Sequence, residues 1–297
     1  MAIKSRMGLA SINGKISDIG RAKISIKDRG FRFGDGIFET IRIVEGKPYL
    51  WHHHIKRLLD GLASLKIQMT QKNLGELINY AEKLTAQSEI KAGFLRIAIS
   101  RGIGSRGYMP TQNINPNIVM EIMPNAGIAQ ENVELFLSSY EKISPRALPV
   151  RHKLMQGLSS ILAKIEAEEQ SCFEALMLNS TGHICEVSSG NIFWFDGKNL
   201  YTPSIECGVL AGIIRKRIIE LSPHISYKVH TGEYTIDHLK EAKSVFITNV
   251  SWLALPAVKL LPNKIHFPET KIAYKIREML LKDQRQYVQG TFNWQIS

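Results

Sequence analysis

The sequence of 297 residues contains only three cysteines, Cys172, Cys185 and Cys207. Three thiols cannot all pair with one another, and their spacing does not suggest metal ligation. We therefore expect a reducing compartment, with the cytoplasm as the default. No stretch approaches the roughly 20 apolar residues that a membrane helix needs, and the first residues lack the apolar segment of a signal peptide. These absences exclude secreted disulfide scaffolds and membrane spans from the expected classes.

Long runs of like charge are also missing, although the formal net charge is +11. Zinc-finger spacing and the basic and aromatic patterns of RNA-binding modules are absent as well. The positive charge predicts attraction of anions such as a phosphorylated cofactor or a carboxylate substrate, or simply a solvated surface with scattered Lys and Arg. We expect a small-molecule partner and no nucleic acid.

Helical and extended patterns alternate along the chain, without internal repeats or low-complexity segments. Roughly alternating β-branched residues over Ile37 to Val44 predict a strand, and Asn13-Gly14 predicts a tight turn. From His54 onward, leucines and isoleucines recur at helical spacing. Residues 101–117 predict a long loop, and residues 154–169 predict an amphipathic helix.

This mixture predicts an α+β fold in two lobes. Pro124-Asn125 separates two predicted strands and is a plausible seam. We therefore expect a smaller domain over residues 1–125 and a larger cofactor-binding domain over residues 126–297.

Lys153 stands immediately before the predicted helix, in the run Lys153-Leu154-Met155-Gln156-Gly157-Leu158. A lysine is ordinarily a solvated surface charge, but Glu186 and Asn191-Ile192-Phe193 follow it at a characteristic separation. This series resembles the fold-type IV, or class IV, pyridoxal-phosphate enzymes. That family includes branched-chain aminotransferases, D-amino acid aminotransferases and aminodeoxychorismate lyases. The resemblance extends from about Phe31 to Leu280.

The resemblance implies a small N-terminal α/β lobe, a larger C-terminal lobe with a β-barrel-like core, and pyridoxal 5'-phosphate in the cleft between them. It also implies a homodimer. By resemblance, Lys153 is the catalytic lysine that forms the Schiff base. The other implied cofactor-binding residues are Arg57, Glu186, Asn191, Ile213, Ile214, Val250 and Ser251.

Several of these residues make chemical sense in those positions. A carboxylate at Glu186 would keep the pyridine nitrogen protonated, and the planar guanidinium of Arg57 suits a phosphate. Outside the family context, Glu186 would be an ordinary strand glutamate and Arg57 a charge on the polar face of a helix. The consecutive residues His52 to His54 cannot easily converge on one ion, so we expect no metal site.

The subfamily is indicated by two further motifs. Phe38-Glu39-Thr40 and the loop from Ser100 to Tyr108 are most similar to the lyases. We therefore predict conversion of 4-amino-4-deoxychorismate to 4-aminobenzoate and pyruvate, with an aminotransferase using branched-chain or D-amino acids as the alternative. A non-catalytic basic binding protein of the same fold is a remote alternative. The expected substrate-binding residues are Thr40, Arg42, Arg101, Arg106 and Tyr108, and simple solvation of the two loop arginines remains open.

Overall fold

The computed structural model describes residues 8–111, 114–127 and 129–295. Over these residues it contains seven α-helices and fifteen β-strands, which confirms the expected α+β class. None of the described helices is both long and apolar enough to cross a membrane. Contacts divide the chain into two compact units. The first unit comprises the described residues of Met1–Ala126, His152–Gln156 and Gln284–Ser297, and the second those of Gly127–Arg151 and Gly157–Asp283.

The first unit is built on a six-stranded sheet. Its strands are β1 (Leu9–Ile12), β2 (Lys15–Asp18), β3 (Gly36–Val44), β4 (Lys47–Pro48), β5 (Ala92–Ser100) and β6 (Asn117–Pro124). The order is β2–β1–β6–β5–β3–β4, and every neighbouring pair is antiparallel. Asn13 and Gly14, with φ of 49° and 85°, join β1 to β2. Both positive φ angles suit a two-residue hairpin turn, as the Asn-Gly pair predicted.

The helices of this unit include α1 (Arg29–Phe33), α2 (Trp51–Ser64) and α3 (Gln71–Ser88). Helices α2 and α3 pack against one face of the sheet. The apolar stripe of α2, with Ile55 and Leu58 fully buried, packs with Ile41 of β3 and Leu95 of β5 in the core. Each such side chain contributes about 1.5–3 kcal/mol through burial. The helix begins at Trp51, three residues before the predicted start.

Alternation along β3 turns Phe38, Thr40 and Arg42 to the opposite face of the sheet, where all three are half-buried. The register of β3 with β5 sets Phe38 beside Ala98 and Thr40 beside Arg96. Because residues two apart share a face of a strand, this second face carries a row of polar and charged side chains.

Residues 284–295 complete the first unit by fastening the start of α2. The hydroxyl of Tyr287 accepts a hydrogen bond from the Trp51 backbone N–H (3.2 Å), and the Trp51 indole donates to the Trp294 carbonyl (2.9 Å). The rings of Tyr49 and Tyr287 meet edge to face at 5.4 Å.

The second unit contains a mixed nine-stranded sheet. Its strands are β7 (Val133–Leu137), β8 (Glu174–Leu178), β9 (Ile184–Val187), β10 (Asn191–Phe195), β11 (Leu200–Pro203), β12 (Val229–Gly232), β13 (Ser244–Thr248), β14 (Leu255–Leu261) and β15 (Ile265–His266). The order is β12–β11–β10–β13–β14–β7–β8–β9, and β15 pairs with β14. The sheet curls into a half-barrel, since Val187 of the edge strand β9 bridges to Gly190 beside β10. This geometry confirms the expected barrel-like core.

The remaining helices are α4 (Leu158–Glu169), α5 (Ile213–Leu221), α6 (Asp237–Lys240) and α7 (Lys271–Gln289). The predicted helix start at Leu154 is wrong, because α4 begins at Leu158. The backbone just before it is extended and pairs with β3: Phe38 N–H donates to the Lys153 carbonyl (2.9 Å), and Met155 N–H donates to the Gly36 carbonyl (3.0 Å). Hydrogen bonds to a strand prevent these residues from joining a helix.

Candidate active site

Lys153 is held by the edge of a strand rather than by a helix. Its carbonyl accepts from Phe38, and Leu154 bridges to Ile37. This extended backbone carries the half-buried Lys153 side chain to the polar face of the first sheet, where its Nζ lies 4.4 Å from the centre of the Phe38 ring. An ammonium over an aromatic ring is an attractive contact, so Phe38 contributes to the position of the amine.

The same sheet face carries two arginines, of which Arg96 shares the Phe38 ring with Lys153. The Arg96 guanidinium lies 3.9 Å from the centre of the Phe38 ring, and Arg42 lies 5.8 Å from the centre of the Phe94 ring. Thr40 stands directly opposite Arg96 in the register. Arg96 was not among the residues expected from the sequence. The alternation of residues along β5 could have placed Arg96 on this face, but only together with the register of β5 against β3.

Arg96 has an acidic partner, Glu121 of β6, at 3.4 Å. The Arg96 side chain is 39% exposed, and burial lowers its pKa while Glu121 opposes that effect. The pair lines a cavity of about 250 Å³ on this face whose other walls, Ile12, Ile24 and Val119 among them, are mainly apolar.

Arg57 of α2 is clamped by a fully buried carboxylate. Its Nε donates to Glu39 Oε1 (2.6 Å) and its NH2 group to Glu39 Oε2 (2.7 Å), while His54 Nδ1 lies 2.7 Å from the same Oε2. Burial alone would raise the pKa of Glu39, but Arg57 and His54 outweigh it and hold that pKa at about 2. Burial lowers the pKa of His54, and Glu39 opposes this shift. The clamp fixes the orientation of the guanidinium.

Glu186 of β9 is buried in the second unit and accepts three donors. Lys142 Nζ lies 2.7 Å from Oε1, and Oε2 accepts from the Asn191 amide (3.0 Å) and the Leu210 backbone N–H (3.1 Å). A buried carboxylate needs such compensation. Lys142 was missed in the sequence, because a single lysine in a loop has no distinguishing pattern.

Asn191 connects this carboxylate to the start of α5. Its amide nitrogen donates to Glu186 and also to the Leu210 carbonyl (3.1 Å). A Cβ at Gly212 would collide with the Asn191 side-chain oxygen, so only glycine allows this close approach. Asn191, which we expected to bind the cofactor, thus contacts both Glu186 and the turn before α5.

The N-terminus of α5 suits a phosphate. Gly212 is the N-cap residue and no side chain caps the helix, although Ile213 and Ile214 in its first turn are buried. Buried N–H groups at a helix start require acceptors, and phosphate oxygens fill this need together with the helix dipole. The buried Arg215 donates to the Pro203 carbonyl (2.8 Å) and so anchors the helix to β11.

Val250 and Ser251 lie in the turn after β13. The side-chain oxygen of Asn249 accepts from the backbone N–H groups of Ser251 (2.8 Å) and Trp252 (2.9 Å). Its amide group donates to the Ser189 carbonyl (3.0 Å). Asn249 thus defines the turn through local hydrogen bonds.

The loop after β5 is tied down by arginines. Arg101 forms a two-pronged pair with Asp35 (2.8 and 3.0 Å) and also donates to the carbonyls of Leu65 and Lys66. Burial raises the pKa of Asp35, but Arg101 and Arg29 outweigh it and lower that pKa overall. The donors of the Arg101 guanidinium are thus bound to groups of the protein itself.

The exposed residues Arg106 and Tyr108 lie further along this loop. The Tyr108 ring contacts Phe33 at 5.6 Å, and Arg29 donates to the Tyr108 carbonyl (2.7 Å). The loop backbone is therefore anchored while the two side chains face outward.

Comparison with known proteins gives consistent results. Residues 36–260 match the family described as amino-transferase class IV. The aminodeoxychorismate lyase of Bacillus subtilis (strain 168) is 31% identical over 254 residues, which cover 84% of this chain and 85% of that protein. A putative branched-chain-amino-acid aminotransferase of Methanocaldococcus jannaschii is 29% identical over 252 residues, 84% and 86% of the two chains. Among solved structures, the Pseudomonas aeruginosa 4-amino-4-deoxychorismate lyase has a TM-score of 0.80 at 25% identity, covering 93% of this chain and 99% of that one.

Proposed function

The chain belongs to the class IV aminotransferase family, and on that basis we propose that it is a pyridoxal-phosphate-dependent lyase. It converts 4-amino-4-deoxychorismate to 4-aminobenzoate and pyruvate and so supplies a folate precursor. The observation that carries the proposal is the Lys153 amine on a sheet face with Arg42 and Arg96. The similarity to the Bacillus lyase and the Phe38-Glu39-Thr40 motif favour this member of the family.

Pyridoxal phosphate, when bound, supplies an aldehyde that reacts with amines and a ring that withdraws electrons. Lys153 is the amine that holds it. Lys153, when its amine is not bonded to the cofactor, would be the base that takes the proton from the amine-bearing carbon of the substrate. Loss of this proton and cleavage of the bond between the ring carbon and the enolpyruvyl oxygen would make the substrate ring aromatic. The enolpyruvate released would take up a proton and become pyruvate.

The other residues bind and orient. Glu186 would accept the ring N–H, and the first turn of α5, at Ile213 and Ile214, would donate backbone N–H groups to the phosphate. Arg57, oriented by Glu39, would bind the phosphate with its guanidinium, and the turn at Val250 and Ser251 would add a further contact.

The substrate carries two carboxylates, which require cationic partners. Arg42 and Arg96 share the sheet face of Lys153, and Thr40 lies directly opposite Arg96 and two residues before Arg42 on β3. The exposed Arg106 and Tyr108 are available from the loop, whereas Arg101 contributes by holding the loop through Asp35. The net charge of +11 favours the approach of such a dianion.

The decisive experiment incubates the purified protein with pyridoxal phosphate and 4-amino-4-deoxychorismate, without an amino acceptor. We expect pyruvate and 4-aminobenzoate in equal amounts, and no product from a Lys153→Ala variant. Borohydride treatment followed by peptide mapping should label Lys153. Failure to form either product would contradict the lyase proposal.

An aminotransferase acting on branched-chain or D-amino acids with 2-oxoglutarate is the second candidate, supported by the Methanocaldococcus relative. It predicts conversion of the bound cofactor to its pyridoxamine form when an amino donor is added. A basic anion-binding protein without catalysis, suggested by the charge alone, predicts no borohydride labelling at Lys153.

Homodimer formation belongs to the same proposal. Helix α4 exposes Leu158, Ile161 and Ile165, which are 66%, 55% and 50% exposed and follow helical spacing. An apolar stripe of this kind on a charged protein supports contact with a second copy. A cytoplasmic location is also proposed, and it is supported by the three buried cysteines, all of them free thiols.

A further inference from the structure

Lys142 is the ammonium group in direct contact with Glu186, and no motif of the sequence pointed to it. It follows β7, and its backbone N–H donates to the Leu178 carbonyl (2.8 Å), which places it beside the end of β8. On β8, the strand that neighbours β9, Met177 lies directly opposite Glu186. The sheet therefore fixes the backbones of both charged residues, and their side chains, 13% and 5% exposed, meet at 2.7 Å.

Arg215 and Cys185 are further titratable side chains near Glu186. Arg215 of α5 is attracted to the same carboxylate; burial lowers the pKa of Arg215, and Glu186 opposes this effect. The Arg215 guanidinium nevertheless donates to the Pro203 carbonyl. Cys185 precedes Glu186 on β9, and burial together with the Glu186 charge raises the pKa of its thiol. Asn191 and the Leu210 N–H contribute neutral donors to Oε2.

The ion pair decides whether Glu186 accepts or donates a hydrogen bond. A buried carboxyl group that loses its cation takes up a proton more readily, because the charged form is poorly solvated. A protonated carboxyl group donates to a pyridine nitrogen, and the ring then stays uncharged. An ionised one accepts a ring N–H and so favours the electron-withdrawing form of the ring.

We propose that Lys142 is a positioning residue that keeps Glu186 ionised, so that this carboxylate accepts the ring N–H of the cofactor. The effect of Lys142 on catalysis rests on the proposed function. The ionisation of Glu186 itself is a property of the protein without cofactor, and it can be measured separately.

The first measurement is carbon-13 NMR of the cofactor-free protein labelled at glutamate carboxyl groups, with Glu186→Gln to assign the signal. In Lys142→Met and Lys142→Gln we expect the titration midpoint of Glu186 to rise by about one pH unit or more. Gln keeps a donor but no charge, so agreement of the two variants identifies the charge as the cause. Lys142→Arg should retain the parent midpoint.

A matched control is Lys259→Met, which removes a more exposed lysine of the same unit that is paired with Glu134 at 3.7 Å. It should leave the Glu186 midpoint unchanged. An unchanged midpoint in both Lys142→Met and Lys142→Gln would overturn the proposal. A lysine that only stabilised the fold would not move this signal.

The second measurement is the absorption spectrum of the cofactor-loaded protein across pH. In Lys142→Met we expect a spectrum that changes with pH in a range where the parent and Lys142→Arg stay constant, and a kcat about tenfold lower at unchanged KM. If the midpoint rises but no variant or parent binds the cofactor, Lys142 has the inferred effect and the proposed function is wrong. If the cofactor binds at Lys153 and all spectra agree, the function stands and the Lys142 inference is wrong.

Discussion

Replacing Glu39 with Gln tests the buried clamp on Arg57 in the first unit. The change keeps the shape of the side chain but leaves the guanidinium without its carboxylate. The pKa of Glu39 falls from an ordinary 4.5 to about 2, and such a shift corresponds to about 3 kcal/mol of stabilisation at neutral pH. Breaking one partner of a buried ion pair costs about 3–5 kcal/mol in other proteins. We therefore expect the free energy of unfolding to fall by about 3 kcal/mol at pH 7.

The pH dependence follows from the direction of the shift. Because the pKa of Glu39 is lower in the folded state, its stabilising contribution is complete above about pH 4.5 and is lost as the pH falls toward 2. At pH 3 about 2 kcal/mol of it has disappeared. The lowered pKa of His54 acts in the same sense, since acid must charge a buried ring.

Urea unfolding of the parent and of Glu39→Gln, followed by circular dichroism at pH 7 and pH 3, measures both effects. The gap between the two proteins should narrow by about 2 kcal/mol at the lower pH. Glu45→Gln changes an exposed glutamate in the turn after β3 and should leave both curves in place. A variant as stable as the parent at pH 7, or a gap that is equal at both pH values, would refute the reasoning.

Three further changes have defined outcomes. Gly212→Ala forces a Cβ against the Asn191 oxygen. It should weaken pyridoxal phosphate binding in a cofactor titration and lower the free energy of unfolding in urea by about 1–3 kcal/mol. Gly157→Ala has open space around its Cβ and serves as the control. Arg101→Gln loses its pair with Asp35 and should lower stability by about 1–3 kcal/mol, whereas Arg106→Gln at an exposed position should not; equal thermal melting curves would contradict this. Ile161→Glu on α4 should convert a dimer to monomers in sedimentation analysis, and an unchanged mass would remove α4 from the interface.

Periodicity predicted those parts of the fold that depend on one element alone. The alternation of Ile37 to Val44 gave the correct faces of β3, and the stripe containing Ile55 and Leu58 gave the buried face of α2. The α+β class and the barrel-like core also agree with the prediction. Patterns within one segment are sufficient for such features, because each element must bury its own apolar face.

Features that depend on partners distant in sequence could not be predicted. Residues 154–157 have helical spacing, yet the backbone bonds of Lys153 and Met155 to β3 delay the helix to Leu158. Arg96 and Lys142 could be recognised as site residues only from the pairing of strands. Arg96 lies opposite Thr40, and Glu186, the partner of Lys142, lies opposite Met177. The expected cofactor and substrate contacts at positions such as Val250 and Tyr108 remain predictions.

The fastening of Trp51 by Tyr287 and Trp294 has a consequence for biosynthesis. The ribosome must deliver residue 294 before both anchors of the start of α2 exist, although the strands β1 to β6 are complete at Pro124. Until then the amino-terminal unit is unfinished, because it lacks these two hydrogen bonds and the ring contact of Tyr49 with Tyr287. Proteolytic removal of residues 284–295 would return the mature protein to that unfinished condition.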